Sequence, residues 1–313
     1  MNPLPPVATV HLFPEERAAL LTHLQSLTDE QWQTPDVYPG WDVKDIAQHL
    51  LADDLGRLSR GRDDYAPALF RPSKPATFEA DLLEFINRQN ELWVQATRRL
   101  SPGVIIELLR TTGEMTQAFW ESLDLDAVGE PVSWAGPDSA PVWLDVAREF
   151  TERWLHHQHI RDAVSASPLT ESRFFVPVLD TFGRALPHTY RAVIAPEGAH
   201  VRLTITGVGA RHASPPPSVA QGPSPEQPGA QNADVAQGSG LEDRHYDLIR
   251  RESHWQLCAD VDTGPTATAT LDADTAWRLF TKSITSEDAR PLCTLDGDAA
   301  LAEKVLDTVS IIA

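Results

Sequence analysis

Glu152 and His156 stand four residues apart in the stretch Glu152-Arg153-Trp154-Leu155-His156-His157-Gln158-His159-Ile160-Arg161. On a helix that spacing stacks the two side chains on one face. A carboxylate and an imidazole so placed can hold one metal ion, and a third ligand from another helix can complete the set. The candidate is His49, far earlier in the chain, in Trp41-Asp42-Val43-Lys44-Asp45-Ile46-Ala47-Gln48-His49-Leu50. Two neutral imidazoles and a carboxylate suit zinc or a similar divalent ion, and three protein ligands leave a position open for chemistry.

These residues need helices to bring them together, and the first half of the chain supplies helical patterns. Residues 14–27 carry Leu20, Leu21, Leu24 and Leu27 at helical spacing. Asp42 reads as an N-cap with Asp45 as its capping-box acid, opening a helix to about residue 59. The apolar stripe of that helix is Val43, Ile46, Ala47, Leu50, Leu51, Leu55 and Leu58, with His49 at its edge beside Asp53. Further helices are expected over 77–100, over 102–123 with Pro102 in the first turn, and over 141–164. Helices of this length imply a bundle, whose sites are built between facing helices.

On the last of these helices Val142, Val146, Phe150 and Trp154 define an apolar side that includes His157. Glu149, Glu152, His156 and His159 fall in a separate sector. Spacing alone leaves two readings of that sector, a metal site or a solvated acidic stripe. His157 reads as a packed histidine. His159 reads as a ligand, a supplement to one, or a neighbour of one. His49 alone could equally be structural.

The chain has 313 residues, enough for two domains of ordinary size, and a hydrophobic fraction of 42% typical of globular proteins. A net charge of −19 argues against nucleic-acid and anionic membrane partners, both of which need a basic face. No apolar run is long enough to span a bilayer, and residues 1–6 lack the basic and apolar regions of a signal peptide, so a cytoplasmic protein is expected. Cys258 and Cys293 form no C-x-x-C pair and read as inert thiols.

The second half changes character. Residues 200–206, 255–261 and 266–271 alternate as strands, and 274–281 and 298–308 read as short helices. This is an α+β region beginning near residue 173. Residues 213–240, rich in Pro, Gly, Ser and Gln, read as a disordered insertion between two strands.

The segment from Gly40 to Leu50 resembles the helix signature of the mycothiol-dependent maleylpyruvate isomerase family, within the DinB/YfiT-like metal-binding superfamily. Residues 152–161 resemble that family's second metal motif, which often has Asp where this chain has His159. Leu186-Pro187-His188, Trp255-Gln256-Leu257, Asp274 to Leu279 and Asp296 to Ala302 resemble its second, sterol-carrier-like domain. The resemblance implies a fold of α plus α+β: an N-terminal four-helix DinB-like bundle (8–168), then a smaller α+β sterol-carrier-like domain (173–313) holding the 213–240 insertion. It implies a divalent metal, Zn2+ in the first instance, on His49, Glu152 and His156. A low-molecular-weight thiol, mycothiol or bacillithiol, is then expected at the open position. No residue matches the isomerase's substrate-contacting basic residue, and Arg191, Arg202 and Arg278 are unranked candidates.

Such a site lowers the pKa of a bound thiol, and the thiolate attacks a small-molecule electrophile. Reversible addition to an activated double bond gives cis–trans isomerisation, whereas lasting attachment gives an S-transferase. A metal-dependent hydrolase and a non-catalytic carrier of an apolar ligand are the alternatives from other classes.

Overall fold

The computed structural model describes residues 2–65, 78–208 and 242–311. The helical half contains α1 (Phe13–Ser26), the short α2 (Asp29–Trp32), α3 (Val43–Arg57), α4 (Phe78–Thr97), α5 (Pro102–Glu121) and α6 (Val142–Ala163). The expected caps are in place: Asp42 and Asp45 form a reciprocal capping box at α3, and Pro102 opens α5 behind the Ser101 cap. A π-helical turn, Leu58–Arg62, carries α3 onward. The helices α1, α3, α5 and α6 share a core of Leu20, Leu24, Ile46, Leu50, Leu109 and Ile160. The stripe on α3 differs from expectation at one place. Leu55 is exposed and Asp54 takes the inward position, for a reason given below.

The second half opens with α7 (Ser172–Phe182) and α8 (Leu186–Thr189), then β2 (His200–Val208), β3 (Glu242–Arg250), β4 (Trp255–Ala259) and β5 (Ala267–Asp272). It closes with α9 (Ala273–Phe280), α10 (Ser286–Ala289), β6 (Thr294–Gly297) and α11 (Ala299–Glu303). With β1 (Asn2–Pro3), the strands form one sheet in the order β1-β4-β3-β2-β5-β6. Among the described residues only the β2–β5 pair is parallel, and β1 lies antiparallel on Ala259 and Cys258 at the edge. The chain's first residues are thus stitched to its last third. The expected insertion at 213–240 lies outside the described residues; the strands that flank it, β2 and β3, pair antiparallel.

One apolar core runs from the bundle into the sheet region. Phe150 and Trp154 of α6, Phe175 and Phe182 of α7, Leu203 of β2 and Trp277 of α9 belong to the same buried cluster. Trp154 stacks on Phe175 at 5.2 Å and meets Trp277 edge-on at 5.5 Å. The α6 helix is therefore held on both sides: its apolar face against the sheet region, its polar sector against α3. Among the described residues no helix is long and apolar enough to cross a membrane.

Candidate metal centre

Charged side chains of α3 and α6 meet inside the protein, and their pairing fixes the two helices in register. Asp54 is fully buried and accepts from Arg17 of α1, from Arg153 of α6 (both 2.9 Å) and from the Thr112 hydroxyl of α5 (2.7 Å). Arg153 also donates to Glu149 at 2.9 Å. Glu149 accepts in addition from Arg57 and Arg148, and both of these donate to Asp145. Burial pushes the Glu149 carboxyl up, but Arg57, Arg148 and Arg153 outweigh it and hold it well below the ordinary range. On the other flank α4 clamps the start of α3. Trp93 Nε1 donates to the Gln48 carbonyl (2.8 Å), and Arg98 donates to Asp45 (2.8 Å).

This register brings His49 of α3 beside His156 of α6, with ring centroids 4.6 Å apart and edge to face. His49, Asp53 and His156 each offer a ligand atom, and the three atoms lie within 4.8 Å of one another. Asp53 is one turn below His49, its Oδ2 3.6 Å from His49 Nε2. Glu152 is one turn before His156, its Oε2 3.8 Å from His156 Nε2. Both separations are too long for hydrogen bonds. They approach the spacing of about 3.4 Å between two tetrahedral ligands that each sit 2.0–2.1 Å from one ion. The structure thus gathers the ligand atoms of His49, Asp53 and His156 into one group, and sets Glu152 against His156 but outside that group. Asp53 is the one that sequence reading did not place among the ligands, although it stands four residues from His49, as Glu152 does from His156.

The donor set suits a divalent cation. The guanidinium groups of Arg17, Arg57, Arg148 and Arg153 are committed to Asp54, Asp145 and Glu149. Asp53 and Glu152 are left facing imidazoles. Burial pushes the Glu152 carboxyl up to about 7 against the pull of Arg148, with Asp53 and Glu149 adding repulsion. Burial raises Asp53 too, against the pull of His49. His156 is held well below the usual imidazole range by burial, then by His49 and His159. Two imidazoles beside two under-compensated carboxyl groups form an environment that a cation would stabilise. The Nδ1 atoms of His49 and His156 are buried without a hydrogen-bond partner among the described residues.

Aromatic side chains wall the cluster. Trp41 lies 5.6 Å from the His49 ring and is fixed through its Nε1 donating to Glu91 of α4 (2.9 Å). Tyr38, in the loop before α3, lies 6.0 Å from His156 and 5.4 Å from His159. His159 is buried, 5.7 Å from His156, and is held down to about 4 by burial and then by Arg278. The whole sector of α6 faces inward rather than to water, since Glu149, His156 and His159 are buried and Glu152 nearly so.

The remaining sequence candidates separate clearly. His157 is a packed histidine: its Nε2 accepts from Arg161 (3.0 Å), so Nδ1 carries the proton and donates to Glu16 (2.9 Å). Of the three arginines only Arg278 faces the cluster, donating to Asp162 of α6 (2.8 Å) and to Asp274 (3.0 Å). Arg202 is engaged with Asp247 on the sheet, and Arg191 is exposed and donates to the His188 carbonyl. Cys258 and Cys293 are free thiols in the sheet region. Two surface clefts lie away from the cluster. One, of about 490 Å³, is lined by Val193, Glu197, Asp298 and Leu301; the other, of about 550 Å³, by Glu15, His23, Arg161 and Arg173.

Residues 13–161 match the family model of the mycothiol maleylpyruvate isomerase N-terminal domain. Among solved structures the chain is similar to the mycothiol-dependent maleylpyruvate isomerase, at 11% identity over 88% of each chain with a TM-score of 0.45. It is also similar to a histidine-to-alanine mutant of that enzyme, at 10% identity over 94% of this chain and 93% of that one, again with a TM-score of 0.45. None of the curated proteins compared with the chain matches it.

Proposed function

We propose, from a helical half that belongs to the mycothiol maleylpyruvate isomerase N-terminal domain family, that this protein is a divalent-metal-dependent enzyme that uses a low-molecular-weight thiol as its nucleophile. The observation that carries this reading is the meeting of His49 and His156, from distant parts of the chain, beside two carboxylates that form no ion pair with an arginine or lysine among the described residues. His49 and His156 would hold the ion with a carboxylate, either Glu152 beside His156 or Asp53, whose oxygen groups with both ring nitrogens. Bound there, a divalent ion such as Zn2+ supplies a Lewis acid that stabilises a thiolate at neutral pH.

The protein's own residues do the rest. The Asp54–Arg153–Glu149 network keeps α3 and α6 in register, so the ligands are placed before any ion binds. Trp41 and Tyr38 exclude water from one side of the cluster and give a thiol's nucleophile a dry approach. The two cysteines lie in the sheet region, so the nucleophile comes from outside, and mycothiol or bacillithiol fits the family. The electrophile is a small molecule with an activated double bond. Thiolate addition followed by bond rotation and elimination gives cis–trans isomerisation, and addition without elimination gives an S-conjugate.

Purified protein loaded with zinc is tested on maleylpyruvate with and without mycothiol, following loss of the cis isomer. The reading expects turnover that requires both metal and thiol and disappears in His156→Ala. Metal-dependent turnover without any thiol would replace this reading with the hydrolase.

A further inference from the structure

We propose that His159 contacts the substrate, its imidazole donating a hydrogen bond to a carboxylate oxygen of the small-molecule electrophile. The inference deepens the thiol-dependent reading above and rests on it. The His159 ring is 3% exposed, and neither Nδ1 nor Nε2 has a hydrogen-bond partner among the described residues. A neutral imidazole carries one donor and one acceptor, so here both are taken out of water and left unmet. Buried polar groups are nearly always satisfied, by protein, by water or by a ligand. His157, two positions earlier, is the internal contrast: equally buried, it has both ring nitrogens paired, to Glu16 and Arg161.

The position fits a substrate contact. His159 lies one turn beyond His156 on α6, and their rings meet edge to face at 5.7 Å. Tyr38 stands edge-on to His159 at 5.4 Å and is itself 36% exposed, which marks the side from which a small molecule would enter. The order of groups is then His49 and His156 at the thiol, and His159 and Tyr38 beside the electrophile's acid group.

The test uses full-length, zinc-loaded protein without thiol, so that nothing turns over, and maleate as the probe of a cis-unsaturated dicarboxylate. In protein labelled with 15N-histidine, the His159 ring resonance, assigned by its loss in His159→Phe, should shift on titration. Maleate affinity should fall at least about tenfold in His159→Phe and stay within about threefold in His159→Asn, which keeps an N–H donor. Metal content should be unchanged in both variants. Three results would each overturn the proposal: an unmoved His159 resonance, maleate binding in His159→Phe equal to wild type, or loss of metal from His159→Phe. Thiol binding to the cobalt-substituted protein tests the underlying reading separately. If that fails while His159 still answers maleate, the thiol reading falls and the contact stands.

Discussion

Replacing Asp54 by Asn should destabilise the protein severely and loosen the site at the same time. Asp54 is fully buried, and its two oxygens accept from Arg17, Arg153 and Thr112 at 2.7 to 2.9 Å. The amide keeps the shape but removes the charge, and its NH2 group now faces a donor. Arg153 retains Glu149 and Arg17 retains the Leu109 carbonyl, so neither cation is wholly abandoned. Even so, breaking one side of a buried ion pair costs roughly 3–5 kcal/mol, because the remaining charges stay out of water. That is a large share of a domain's usual stability of about 5–15 kcal/mol. In urea the unfolding midpoint should drop by at least about 1 M with little change in slope. Asp307→Asn, which removes an exposed partner of Lys304, is the control and should leave the midpoint in place. Since Asp54 adjoins Asp53, the variant should also bind zinc more weakly in a competition titration. A midpoint within about 0.3 M of wild type would refute the reasoning, because the network would then not be what holds α3 to α6.

His23 sets a pH dependence away from the metal cluster. Burial, then Arg161 and His157, hold it down to about 4 in the folded protein, against 6.5 when free. The unfolded chain therefore binds the proton first as pH falls. Its contribution is present above pH 6.5 and is lost as pH falls from 6.5 to about 4, reduced by the solvent that reaches the half-buried ring. Urea midpoints across that window should fall less steeply in His23→Asn, and an identical slope would exclude His23 as a source. Trp154→Ala removes the ring that joins α6 to Phe175 and Trp277 and should cost about 3–5 kcal/mol. Calorimetry should still show one transition at a lower temperature; two separate transitions would mean that the bundle and the sheet region do not share a core. Cobalt-substituted protein titrated with a small thiol should gain a sulfur-to-metal charge-transfer band, absent in His156→Ala, and no band at saturating thiol would remove the thiolate.

The helices were legible because their signals are local. Asp42 and Asp45 announce the start of α3, Pro102 that of α5, and the leucine spacing of α1 needs no distant partner. The Glu152–His156 pairing was legible for the same reason. What escaped depends on contacts between distant residues. Nothing local marks Asp54 and Arg153 as buried partners, and the inward turn of Asp54 is what puts Leu55 outside the stripe expected for it. The strand β3 was missed because Glu242–Arg250 is dense in charge; its pairing with β2 and β4 makes it a strand. The two-residue β1 has no local pattern at all. Asp53 was within reach, since the rule that joined Glu152 to His156 applies equally to His49 and Asp53. A carboxylate beside a leucine stripe reads as the polar edge of a helix until His156 is seen across from it.

Elemental analysis of purified variants shows whether α3 and α6 together hold one divalent ion. Wild-type protein should carry about one ion per chain, as three-ligand catalytic sites do. His49→Ala and His156→Ala should each lose most of it, and comparing Glu152→Ala with Asp53→Ala shows which carboxylate binds. His157→Ala, altered at a buried and fully paired imidazole, should keep its metal even where stability falls. Full occupancy in His49→Ala would contradict the account, since an ion held by α6 alone needs nothing from the helix on which the site depends.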